Sequence, residues 1–185
     1  MPRVEIANRD LEDVRVTAAV VLAELGRRNF AVLSTIDGEG RPDSAGVNYG
    51  LSVTESGPAI YIMTRRHLRK ARNIASNPNV ALVVPLMRRF LWFLPPATIQ
   101  LHGRAELLDW SDEAGTAVFR RFWIGRRILD AYAATRRRGD ARVCFLRITP
   151  DPVVRTYMVG FGARELRNHM ESGAAKVVIG SARPQ

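Results

Sequence analysis

One cysteine, Cys144, is all that the 185 residues provide. No internal disulfide can form, and a zinc site built on cysteine pairs is excluded. Histidine is nearly as sparse. His67, His102 and His169 lie far apart and lack ligand spacings such as a histidine pair one helical turn apart. Long apolar runs are missing too. The most apolar stretches, 80–86 and 90–97, are divided by Arg88 and Arg89, and neither approaches the roughly 18 residues that a bilayer span requires. The N-terminus shows no charged segment followed by an apolar one, so no signal peptide is read and a cytoplasmic protein without membrane association is expected. The glycine-rich phosphate loops GxGxxG and GxxxxGK[ST] do not occur.

Acid–base machinery is also scarce. There is no Ser-His-Asp order, and no histidine stands beside a carboxylate. Asp112 and Glu113 read as helix-start charges, Cys144 in VCFL as core, and His102 as a satisfied histidine of the barrel. A chain so equipped is no enzyme, or its chemistry is carried by a cofactor.

What is abundant is positive charge. Twenty-eight basic residues face 18 acidic ones, giving a net charge of +10, and nearly all of the basic residues are arginine. Such an excess attracts nucleic acid, an anionic surface, or a phosphorylated or polycarboxylate ligand. Arginine offers phosphate and carboxylate a planar bidentate fork, whereas lysine acts as a point charge. Codon bias produces the same composition, so composition alone does not choose. The length suits one domain over residues 1–185, and an apolar fraction of 46% is enough for a core.

The patterning predicts an amphipathic helix over 10–28, capped by Asp10, with Leu11, Val14, Ala18, Val21, Leu22 and Leu25 toward the core. Strands follow at 30–36, 44–53 and 59–63, separated by the turns DGEGRP and TESGP. A short helix is expected over 65–76, then strands at 80–85 and 98–108, with Gly103 marking a bulge or a close approach. Ser111 is expected to cap a helical insertion over 111–138. Strands at 141–149 and 153–159, a helix at 163–172 and a tail to residue 185 complete the reading. Antiparallel strands with helices set apart from them indicate an α+β, mainly β fold rather than a doubly wound sheet.

The most loaded stretch is MTRRHLRKARN, 63–73, where a strand ends and a helix begins with five basic residues in eight. Unpaired N–H groups at a helix start, flanked by arginine and lysine, make a phosphate site. A solvated basic helix face fits equally well, since Arg66 and Lys70 lie opposite the apolar stripe. Trp92, Phe93, Phe119, Phe122 and Trp123 suit stacking on a planar ligand, although such residues are more often core or interface.

The run FAVLSTIDGEGRPDSAGVNYG, the run MTRRHLRKARNIASNPNVALVV and the later TIQLHGRAELLD resemble the pyridoxamine-5′-phosphate-oxidase-like, FMN-binding split-barrel superfamily over roughly residues 8–160. Thr64, Arg69, Lys70 and Ala71 match its pattern at the strand–helix junction. The resemblance implies a six-stranded antiparallel split β-barrel with peripheral helices, a homodimer, and flavin sites between the subunits. It implies FMN, or alternatively a deazaflavin coenzyme, with Met63, Thr64, Arg65, Arg69 and Lys70 at the phosphate. Val47 and Asn48 would lie along the ring, Thr98 and Gln100 would reach it from the fifth strand, and Trp92 would close the site from the other subunit. Two departures, the uncharged SAGVNYG on the second strand and the tail AAKVVIGSARPQ, point away from pyridoxamine phosphate as substrate.

Three functions are compatible with these residues. The first is an oxidoreductase passing hydride between a flavin and a small-molecule substrate. The second is a non-enzymatic flavin carrier or sensor. The third is a nucleic-acid binder using Arg120, Arg121, Arg126, Arg127 and Arg136 to Arg138, for which no recognised binding signature is present.

Overall fold

A computed structural model describes residues 16–86, 97–160 and 173–180. The order of elements is α1 (Ala18–Arg27), β1 (Phe30–Ile36), β2 (Pro42–Thr54), β3 (Gly57–Arg65), α2 (Arg69–Ser76), β4 (Asn79–Leu86), β5 (Ala97–Asp109), α3 (Glu113–Arg120), α4 (Trp123–Arg137), β6 (Val143–Pro150), β7 (Val153–Tyr157) and β8 (Ala174–Val178). All pairings are antiparallel. The order β4-β1-β2-β3-β6-β5, closed by β4 against β5, makes a six-stranded barrel, and β7 and β8 extend the sheet from β5. Closure of β4 on β5 pairs two strands that would otherwise end the six-stranded sheet.

Alternation sets the barrel interior. Ala31, Leu33 and Thr35 of β1, Val80, Leu82 and Val84 of β4, and Ile99 and Leu101 of β5 point inward, while their neighbours lie on the outer face. β3 and β6 break this pattern. Ile60 to Thr64 and Val143 to Leu146 are buried without interruption, because α3 and α4 lie over the outer face of those strands. Tyr61, Met63, Val118, Phe119, Leu129 and Phe145 form the second core there. Strands covered on both faces read as continuous apolar runs.

The helices hold the two poles. α2 lies where β1 and β3 end and β2 and β4 begin, with Ala71 and Ile74 buried. At the other pole α1 buries Val21 and Leu25 in the main core, and the Tyr49 hydroxyl donates to the Leu25 carbonyl at 2.8 Å.

The strands stand where expected to within two residues at either end, and three helix starts are corrected. α1 starts at Ala18 and is capped by Thr17, whose hydroxyl accepts from the Val20 N–H, so the helix does not reach back over Val16. Asp10, Leu11 and Val14 lie outside the described residues. The junction helix begins at Arg69 rather than residue 65, since Arg65 still pairs with Val143 in the sheet. Asp112, not Ser111, caps α3, its Oδ1 accepting from the Gly115 N–H at 2.7 Å. The tail pairs as β8, and the helix expected at 163–172 lies outside the described residues.

Gly103 shows why β5 needs a glycine. A Cβ there would lie 2.4 Å from the Thr149 carbonyl oxygen and 2.9 Å from the Pro150 Cα, both backbone atoms. Gly103→Ala is expected to destabilise the fold by about 1–3 kcal/mol, the usual cost of overpacking. Urea unfolding checks this as a lower midpoint at an unchanged slope.

Candidate functional site

β2 and β3 pair for only part of their length. Their ladder runs from Thr54↔Gly57 to Tyr49↔Ile62 and stops. Beyond it, residues 42–48 of β2 pair with β1 alone, and Met63, Thr64 and Arg65 of β3 pair with β6 alone. The strands part, and the chain crosses the gap through α2. Each strand therefore carries a run of backbone N–H and C=O groups toward the gap with no partner in the β2–β3 ladder.

Thr64 lies in this gap. Alternation from Ile60 and Ile62 turns it toward the barrel interior. It is 1% exposed, and its Oγ1 is buried without a hydrogen-bond partner. A buried hydroxyl left unpaired is costly and calls for an explanation such as a water or a ligand. Five residues on, α2 begins at Arg69 behind Leu68, and no side chain caps it. The Ala71 and Arg72 N–H groups bond to the Leu68 carbonyl at 3.0 and 3.1 Å, which leaves those of Arg69 and Lys70 without an acceptor among the described residues, at the positive end of the helix dipole.

The cations at this pole are not equivalent. Arg69 Nε is 3.4 Å from Asp43 Oδ2, and Asn73 Nδ2 donates to the same oxygen at 3.2 Å and to Thr35 Oγ1 at 3.0 Å. Asp43 thereby fixes one face of α2 to the start of β2. Arg65 Nε pairs with Asp140 Oδ2 at 3.2 Å, and its guanidinium sits 5.1 Å above the Tyr132 ring. Arg66 approaches Asp109 at 3.8 Å. Among the described residues Lys70 and Arg72 have no carboxylate within 4.0 Å, so three of the five cations are countered internally and two are not.

The remaining expected residues divide between places. Met63 packs beneath α3 and α4. The Val47 side chain is buried in the barrel core, which leaves only its backbone at the gap, whereas Asn48 is exposed on the outer face. Thr98 and Gln100 are on the outer face of β5, paired with Pro85 and Val83 of β4. The register Gly46↔Val32, Val32↔Val83 and Val83↔Gln100 puts three strand spacings between Gln100 and β2, about 14 Å at ~4.8 Å each. Within one chain Thr98 and Gln100 stand away from the gap, and β5 reaches the junction only at its far end, through Asp109.

Among the aromatic candidates, Phe119 is core, Phe122 is half-buried and Trp123 is exposed. Trp92 and Phe93 lie outside the described residues. His102 is not a satisfied interior histidine. It is on the outer face, exposed, and lines a concavity of about 470 Å³ with Ile36, Pro42, Ala81 and Arg104. The inward positions of β5 are Leu101 and Gly103, one step out of phase with it. No group of three His, Cys, Asp or Glu side chains suited to a metal ion occurs among the described residues, and none of their helices is long and apolar enough to cross a membrane.

Asp43, Asn73 and Asp140 were not singled out by the sequence. Asn73 follows Arg69 by one helical turn, which puts both on one side of α2, and that spacing was the available signal. Asp43 and Asp140 reach the site only through tertiary structure.

The family model described as pyridoxamine 5′-phosphate oxidase matches residues 18–156. No curated protein matches the chain. Among solved structures, the heme storage protein HutZ of Vibrio cholerae is 18% identical, with a TM-score of 0.55 over 75% of this chain and 94% of that one. A heme binding protein of Mycobacterium smegmatis is 22% identical, with a TM-score of 0.59 over 89% of this chain and 59% of that one. ChuZ of Campylobacter jejuni is 15% identical, with a TM-score of 0.58 over 89% of this chain and 60% of that one. At these identities the likeness is one of fold.

The Asp140 carboxyl is held at about 2, first by the Arg142 side chain, then by the Arg142 backbone N–H and the Arg65 charge. A depressed folded-state value adds stability above the unfolded value of about 3.9. That contribution is lost as pH falls through about 2. Asp140→Asn is therefore expected to lower stability at pH 6 and to converge on the parent below pH 2. Denaturant melts across this range check it, and a gap independent of pH would remove the ion pairs as its cause.

Proposed function

The chain belongs to the pyridoxamine 5′-phosphate oxidase family, and from that premise we propose that it binds a phosphate-bearing flavin where β2 and β3 part. On this reading the flavin is FMN or a deazaflavin coenzyme, the protein is a homodimer with flavin between the subunits, and it is an oxidoreductase acting on a small molecule. The observation that carries the reading is the Thr64 hydroxyl, buried and without a partner beside an uncapped helix start. A phosphate oxygen is an acceptor for that hydroxyl and for the Arg69 and Lys70 N–H groups at the start of α2.

Lys70 supplies a free charge to the phosphate, and Arg69 a second one that Asp43 holds in place. Arg65, engaged by Asp140 and Tyr132, acts at one remove by fixing the end of β3. Asn48 and the Val47 backbone stand along the gap, in reach of a ring. A bound flavin supplies hydride transfer, and these residues bind and orient it. Thr98 and Gln100 support the dimer. They stand away from the gap in one chain, on an outer face where Phe30 is 48% exposed, so a second copy would be the source of these two residues for the site. The same clamp serves a non-enzymatic flavin carrier, and turnover of a reduced nicotinamide separates the two.

A second reading is a heme carrier. It draws on His102, exposed beside a concavity whose lining is mostly apolar and includes Arg104. A neutral imidazole is an axial ligand for iron, and a guanidinium pairs with a propionate.

Titration of the purified chain with FMN, a deazaflavin coenzyme and hemin tests both readings. Flavin binding is expected to weaken by about 1.5–3 kcal/mol for each charge-assisted contact removed in Arg69→Ala with Lys70→Ala. Thr64→Val is expected to weaken flavin binding while leaving the ligand-free protein equally or more stable, since it deletes an unpaired buried hydroxyl. Unchanged flavin affinity in both variants would remove the clamp. Hemin binding lost in His102→Ala, without flavin binding, would establish the second reading.

A further inference from the structure

At the pole opposite α2, positive charge gathers around another hollow. A cleft of about 400 Å³ lies between the last turn of α1, the second half of β2 and the end of α3. Its polar lining includes Arg27, Arg28 and Arg121, and its apolar lining includes Leu51, Val118 and Phe122. Glu24 is shared by two of the arginines, at 3.0 Å from Arg27 Nη1 and 3.3 Å from Arg28 Nη2. Arg121 has no ion pair among the described residues. Three guanidiniums against one carboxylate leave the cleft two charges positive.

Two further features mark the cleft. Arg28 Nε is buried and has no acceptor, the second such side-chain atom among the described residues besides Thr64 Oγ1. An N–H without an acceptor or water is costly, although the guanidinium that bears this one is 37% exposed and paired with Glu24. The wall is also closely packed. A Cβ on Gly50 would lie 2.3 Å from Val118 Cγ1, so α3 packs against bare backbone, and the bond from Tyr49 to the Leu25 carbonyl holds the turn bearing Arg27 and Arg28.

We infer that this cleft is a second ligand site, for a compact organic anion whose carboxylate meets the arginines and whose apolar body covers Leu51, Val118 and Phe122. Guanidinium forks suit a carboxylate bidentately, and Leu51, Val118 and Phe122 beside them offer an apolar surface to the body that carries it. The site stands at the other end of the barrel from Thr64 and does not rest on flavin binding.

Benzoate is the probe, and inorganic phosphate and sodium chloride at equal ionic strength are the comparisons. Amide correlation spectra of the ¹⁵N-labelled chain are expected to show saturable benzoate shifts at Gly26, Asn29, Gly50, Leu51 and Phe122. Phosphate, lacking an apolar body, is expected to bind more weakly there. Arg27→Gln and Arg121→Gln, both at exposed side chains, are each expected to weaken benzoate binding about tenfold, the factor for ~1.4 kcal/mol. The spectra themselves report that the variants are folded. Shifts no larger than with chloride, or unaffected by both substitutions, would overturn the site. Phosphate binding as tightly as benzoate would overturn its assignment to an organic anion.

Discussion

The parting of β2 from β3 is the constraint on which the rest of the structure depends. Six residue pairs tie the strands from Thr54↔Gly57 to Tyr49↔Ile62. After that β2 stays with β1 and β3 stays with β6. A barrel whose strands all remained paired would have no gap, and Thr64 would be one more inward residue. Because they part, α2 fills the pole, its uncapped start follows the gap, and a threonine hydroxyl is buried with no partner among the described residues.

Charge at that pole is arranged by carboxylates that come from elsewhere in the chain. Asp43 from β2 and Asp140 from beyond α4 each hold an arginine of the junction. An unpaired arginine samples many rotamers and loses that freedom when a ligand binds. One already held by a carboxylate is partly preorganised, at the expense of some of its charge. The pole thus combines held arginines with Lys70, which has no carboxylate within 4.0 Å among the described residues. The cleft by α1 follows the same scheme, with Glu24 holding Arg27 and Arg28 and with Arg121 lacking an ion pair among the described residues.

Much of the fold was legible because it is written in local patterns. The DGEGRP turn between alternating strands, the NPN stop after α2 and the acidic start of α3 all mark elements that form where expected. The junction was legible as a density of cations between a strand and a helix. What was not legible is long-range. Alternation fails in β3 and β6 because α3 and α4 cover them, so which side Met63 and Thr64 face is not readable from periodicity. His102 was misread for a related reason: a strand of the barrel has an outer face as well, and phase is fixed only by the register of β5 against β4. The partners of Arg65 and Arg69 stand 75 and 26 residues away in the chain, beyond any local motif.

The central claim is that the gap between β2 and β3 holds a flavin that one chain alone does not enclose. Native mass spectrometry of the purified chain with added FMN or deazaflavin coenzyme tests it most directly. The account predicts a dimer carrying two flavins and a monomer carrying none. A monomer that binds flavin as tightly as the dimer, or a dimer that binds neither flavin, would contradict it.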